Sequence, residues 1–96
     1  MCYYVSSVSG DEYDILKSFR RYRFKWIARN SDGTLYIYKN KPLKNKGLWV
    51  EKDGRVDSNY VVDISRYSSM FRMVDRFSNN PTRVRDLIYT YYGLNN

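Results

Sequence analysis

Residues 24–47 read FKWIARNSDGTLYIYKNKPLKNKG. Side chains alternate across an extended chain, so Phe24, Trp26 and Ala28 fall on one side, and Arg23, Lys25, Ile27 and Arg29 on the other. Asn30-Ser31-Asp32-Gly33 has turn chemistry, with Gly33 free to adopt positive φ. Beyond it, Leu35 and Ile37 alternate with Thr34, Tyr36 and Tyr38. The pattern predicts a β-hairpin. Lys39 to Gly47 then forms a lysine-rich loop around Pro42, leading to a third strand at residues 48–51. Lys52-Asp53-Gly54-Arg55 is a further turn, with a brief strand near Val56. The expectation is a three-stranded antiparallel meander over residues 23–51.

Helices flank this meander in sequence. In residues 11–22, DEYDILKSFRRY, the apolar residues Ile15, Phe19 and Tyr22 recur at helical spacing beside Leu16, with Asp11 placed to cap. Residues 64–77 fit helical spacing through Ile64, Tyr67, Met70, Phe71, Val74 and Phe77, but residues 71–77 also fit part of a strand pattern. A last helix is expected from Asn80 as cap and Pro81 as first helical residue, through Val84, Leu87, Ile88 and Tyr91, to Gly93 as stop. The fold class is therefore α+β in a single domain, the meander packed with an N-terminal helix and one or two C-terminal helices. Phe19, Phe24, Trp26, Leu35, Ile37 and Leu87 should be buried.

The positive charge is unevenly placed. The chain has 96 residues and a net charge of +7. Residues 1–22 balance three basic against three acidic residues. Residues 23–49 carry seven basic residues against Asp32 alone, and residues 50–96 carry seven against six. Such a local surplus argues for an anionic partner met by one segment.

Several function classes are disfavoured. The chain contains no histidine and one cysteine, Cys2, which excludes the usual zinc sites, Ser-His and Cys-His catalysis, and an intramolecular disulfide. The lone cysteine fits a reducing cytoplasm. MCYYVSSVSG lacks the basic and apolar regions of a signal peptide, and no apolar run is long enough to span a membrane. The scattered glycines form no phosphate loop. Glu51, Asp53 and Asp57 cluster near the third strand, where carboxylates could hold a magnesium ion, but acids flanking a turn are ordinarily turn residues. The expectation is a protein that is not an enzyme and carries no metal or cofactor.

The candidate binding residues follow from the hairpin. Arg23, Lys25, Arg29, Tyr36 and Tyr38 would share one face, with Lys39, Lys41, Lys44 and Lys46 as a basic rim and Trp49 beside them. Cations take phosphates while flat rings stack on bases. Equally, the tyrosines would simply pack if a helix covers that face. Lys17, Arg20 and Arg21 form a secondary candidate; they also complement the dipole of the N-terminal helix.

Trp26-Ile27-Ala28-Arg29-Asn30-Ser31-Asp32-Gly33-Thr34-Leu35-Tyr36-Ile37-Tyr38, then Lys41-Pro42 and Trp49, resembles a block in small phage and prophage proteins. A weaker likeness continues through Met70-Phe71, Val74, Phe77 and Pro81. The resemblance implies a phage-type accessory protein in the cytoplasm of a bacterial host, monomeric or a small homo-oligomer. Its partner would be a host protein or nucleoprotein, which it inhibits or modulates in the manner of an anti-CRISPR protein. Charge alone points instead to direct binding of DNA or RNA.

Overall fold

Residues 8–94 are described by a computed structural model; Cys2 and most of the N-terminal stretch read against a signal peptide lie outside them. Helix α1 spans Gly10–Arg21. Its cap is Ser9 rather than Asp11: the Ser9 hydroxyl accepts from the Glu12 amide, and the Glu12 carboxylate accepts from the Ser9 amide, a reciprocal capping box. Leu16 is fully buried, Ile15 and Phe19 are half-buried, and Tyr22 is exposed. The helix ends in a Schellman motif, with Phe24 N–H donating to Phe19 C=O and Arg23 N–H to Arg20 C=O. The rings of Phe19 and Phe24 meet edge-on at 5.9 Å, closing the motif with an apolar contact.

The predicted hairpin forms between β1, Trp26–Arg29, and β2, Leu35–Tyr38. Gly33 sits at φ +92 in the turn. The third strand of the sheet differs from the expected one. Strand β5, Val61–Asp63, pairs with β2, and β6, Thr82–Arg83, pairs with β1, giving an antiparallel order β5-β2-β1-β6. Residues 43–45 and 48–50 form strands β3 and β4 of a separate two-stranded ribbon. Val56 is exposed and lies in no strand.

Both faces of the four-stranded sheet are covered, which decides the register. Trp26 stands opposite Tyr38 and Ala28 opposite Tyr36, so these four share a face. Ile27, Leu35 and Ile37 lie on the other face, in the main core with Val8, Leu16, Phe24, Ile64, Phe71, Val74, Val84, Leu87 and Ile88. Ala28 and Tyr38 pack with Trp49 beneath the ribbon. Tyr36 and Tyr38 thus do not share a face with Lys25 and Arg29, and Trp26 is half-buried rather than buried.

The ribbon is pinned through the backbone of Trp49. Its N–H donates to Asn30 Oδ1 at 2.7 Å, and its C=O accepts from the Tyr38 hydroxyl at 3.0 Å. At the ribbon's tip Lys46 and Gly47 have φ of 52° and 83°, as a tight hairpin turn requires. Gly47 C=O accepts from Ser31 N–H, and a Cβ at Gly47 would lie 2.9 Å from the Ser31 hydroxyl. Lys39 to Gly47 is therefore a segment docked through the β3–β4 ribbon and not the lysine-rich loop expected from the sequence.

After β4, Glu51 organises the next turn. Its carboxylate accepts from the Asp53 and Arg55 amides and from the Arg55 guanidinium, which also bridges Asp53 at 2.8 Å. Hydrogen bonds from Arg55, foremost, hold the Glu51 pKa down to about 2 from an ordinary 4.5. A carboxyl depressed in the folded state contributes stability above its unfolded pKa, and that contribution disappears as pH falls through the folded value. Thermal melts should show Glu51→Gln losing its deficit against wild type between about pH 4.5 and 2; parallel curves throughout that window would contradict this.

The helix expected over residues 64–77 does not form, nor does a strand at 71–77. A short 3₁₀ turn, Ser65–Tyr67, gives way to consecutive turns. Arg29 explains the departure. Nε donates to Val74 C=O, Nη1 to Gly33 and Ser68 C=O, and Nη2 to Met70 and Phe71 C=O, at 2.8–3.2 Å. These bonds use all five donors of the guanidinium and gather carbonyls that a helix would direct along its axis. Phe71 adopts φ +56, disfavoured for a bulky residue; its N–H donates to the buried Glu12 carboxylate. Helix α2 spans Val84–Leu94, three residues later than the expected start at Pro81, because Thr82 and Arg83 extend β1's edge. Gly93 lies inside the helix.

Candidate nucleic-acid interface

The end of α1, the start of β1, β6 and the start of α2 converge on a cleft of about 610 Å³. Arg20 and Arg23 come from the α1 terminus, Lys25 and Trp26 from β1, and Arg83 and Arg85 from β6 and α2. The pairing of β6 with β1 brings the last two to the first four: Trp26 stands opposite Arg83, and Val84 N–H donates to Lys25 C=O at 2.9 Å. No acidic residue lines the cleft. All five cations are exposed, and the only ion pairs among the described residues join Arg55 to Glu51 and Asp53. Five like charges in one concavity repel one another, and low-dielectric walls concentrate their field. The N-terminus of α2 opens at the same wall and adds its positive dipole end.

Arg23 occupies the position after α1 that glycine ordinarily takes, at φ +71. An L-residue there is strained by roughly 1–2 kcal/mol. Arg23→Gly should therefore raise stability by on the order of 0.5–1 kcal/mol, after the glycine's extra unfolded-state entropy is allowed for, while weakening anion binding. A denaturant midpoint that falls instead would show that Arg23 holds the helix end.

Trp26 is the aromatic element of the site. The Arg83 guanidinium lies 5.1 Å and the Lys41 ammonium 5.7 Å from its ring centroid, both within cation–π range. Trp26 and Arg83 also line a second depression, of about 410 Å³, on whose wall Lys41 sits with Asn80, Thr82 and Asp86.

The residues singled out from sequence divide sharply. Arg23, Lys25 and Arg20 meet in the cleft, with Lys41 beside Trp26. Arg29 is committed to the 68–74 segment. Tyr38 is 2 % exposed with its hydroxyl bonded to Trp49, and burial raises its pKa. Trp49 is 6 % exposed. Neither ring is available for stacking. Tyr36 is half-buried opposite Asp63, in a groove with Leu48, Val50, Val56 and Val61; a neighbouring carboxylate disfavours phosphate there. Lys39 lies over the rings of Phe24 and Tyr60, and Lys44 donates to Ser78 C=O at 2.6 Å. Lys46 is exposed at the ribbon tip, Arg21 is exposed outside the cleft, and Lys17 lies over Tyr13.

Sequence reading missed Arg83 and Arg85 and placed Trp26 in the core. The available signal was the Arg-Val-Arg run after Pro81, which as a helix start carries no special meaning. No family model, curated protein or solved structure matches the chain. Among the described residues, no helix is long and apolar enough to cross a membrane.

Proposed function

We propose that this chain is a non-enzymatic binding protein that holds the phosphate backbone of a nucleic acid in the cleft between α1, β1, β6 and α2. The observation that carries the reading is five exposed cations, none in an ion pair, around one acid-free concavity. Such clustering opposes folding through self-repulsion and is relieved when an anion binds. The carboxylates near β4 support the same reading, because Glu51 and Asp53 are engaged in the turn with Arg55. The resemblance to phage proteins supplies a setting: an accessory protein that meets its nucleic acid on a host nucleoprotein or defence complex and modulates it.

A second reading, docking on a host protein directly, is favoured by the outward face of the ribbon. Leu43, Leu48 and Val50 are 55 %, 46 % and 41 % exposed there. Salt dependence separates the two. Anisotropy of a labelled oligonucleotide should give a slope of log K against log salt near −3.5 if all five cations contact a single strand. A slope near zero, with nuclease-resistant capture of one host protein that depends on Leu43 and Leu48, would favour the protein-docking reading.

A further inference from the structure

We infer that the nucleic acid taken by the cleft is single-stranded, with one base stacked at Trp26 and its edge facing the depression formed by Asn80, Thr82 and Asp86. This rests on the cationic cleft being a nucleic-acid site. Trp26 and Arg83 belong to the walls of both concavities, so an anion-holding surface and a hydrogen-bonding surface meet at one aromatic ring. Their chemistries differ. The first has five cations and no acid; the second sets the Asp86 carboxylate beside Lys41 and Arg83, so it offers an acceptor for an exocyclic amine together with donors for the acceptor atoms of a base. A strand laid across Trp26 would match both, with phosphates beside Arg20, Arg23, Lys25 and Arg85 and a base beyond the ring.

The geometry disfavours a duplex. Base faces inside a double helix are covered by their neighbours, and their amines are occupied in pairing. Duplex readers insert a protruding helix or β-ribbon into a groove. Here the cations line a concavity, and the β3–β4 ribbon is docked on the sheet and presents Leu43, Leu48 and Val50 outward. A cationic groove with an aromatic plate is the arrangement that takes single strands. Aspartate accepts from the cytosine amine, whereas thymine offers only carbonyls and one ring N–H along that edge. We take Asp86 to accept from the exocyclic amine while Lys41 and Arg83 face the neighbouring ring-nitrogen and carbonyl acceptors, the order of groups along the cytosine edge.

The test uses the full chain, intrinsic tryptophan fluorescence, and oligo(dC), oligo(dT) and a mixed-sequence duplex of about ten nucleotides or base pairs. Trp49 is 6 % exposed beneath the ribbon, so Trp26 is the ring a base can reach. Oligo(dC) should quench the fluorescence and bind about tenfold more tightly than oligo(dT), and the duplex should bind at least about tenfold more weakly than oligo(dC). Asp86→Asn should abolish the dC-over-dT preference without weakening dT binding. Trp26→Phe, which keeps a stacking ring, should lose the quenching while retaining affinity within about threefold. Equal binding of duplex and single strand, no quenching on binding, quenching retained by Trp26→Phe, or a preference unchanged in Asp86→Asn would overturn this inference and leave the cationic cleft standing. No binding of any nucleic acid at low salt would overturn both.

Discussion

Reversing Lys25, Arg83 and Arg85 together to glutamate should reduce affinity for a nucleic-acid strand by at least about a hundredfold near 0.1 M salt. The melting temperature should stay level or rise. All three side chains are exposed and make no ion pair, so their removal relaxes repulsion within the cleft. The main loss is the Arg83 cation–π contact with Trp26, worth roughly 0.5–1 kcal/mol at an exposed site. The matched control reverses Lys44, Lys46 and Lys52 on and just after the ribbon, none of which lines the cleft or the depression beside Trp26. Lys44 is anchored to Ser78 and Lys46 stands at the far tip, so this variant should lose much less binding. Equal losses in the two variants would mean diffuse attraction to a basic protein and no defined cleft.

The largest effect on stability belongs to Arg29. Arg29→Ala removes five hydrogen bonds to the carbonyls of Gly33, Ser68, Met70, Phe71 and Val74. Ser68 C=O is exposed and Phe71 C=O still accepts from Val74 N–H. The part-buried Gly33, Met70 and Val74 carbonyls lose the Arg29 donor, which should lower stability by roughly 3–4 kcal/mol, a fall in Tm of about 12–30 °C for a domain of this size. Arg29→Lys should recover little, because an ammonium has three donors and no fork to span the segment. A Tm within a few degrees of wild type in either variant would show that Glu12 and the core alone shape residues 68–74.

The same arginine shows where sequence reasoning reaches its limit. Alternation from Phe24 to Tyr38 and the Asn-Ser-Asp-Gly turn locate the first hairpin, because strand and turn signals are local. Alternation assigns an inner and an outer face only when one face is wet. Here helices cover one face and the ribbon the other, so Ile27 and Ala28 are both buried although they are adjacent. Arg29 lies on the helix-side face, and its long side chain reaches past the core to the chain at 68–74. Helical spacing in residues 64–77 was real, but Ile64, Phe71 and Val74 reach the core from turns held by Arg29 and Glu12.

The candidate site was half legible for a related reason. Arg20, Arg23 and Lys25 lie close together in sequence and stay close in space. Arg83 and Arg85 join them only because β6 pairs with β1, a contact between distant parts of the chain that charge counting cannot foresee. The lysines that made residues 39–46 conspicuous are dispersed over aromatic rings, a carbonyl of the 78–80 turn and the ribbon tip. The site lies at the beginning of the charged segment rather than along it.

Occupation of the cleft at the junction of α1, β1, β6 and α2 is read by amide and indole chemical-shift mapping during titration with a short oligonucleotide. The largest shifts should fall at Arg23, Lys25, Arg83, Arg85 and the Trp26 indole, with the outward face of the ribbon unmoved. Shifts confined to Leu43, Leu48 and Val50, or none under conditions where the strand is bound, would contradict it.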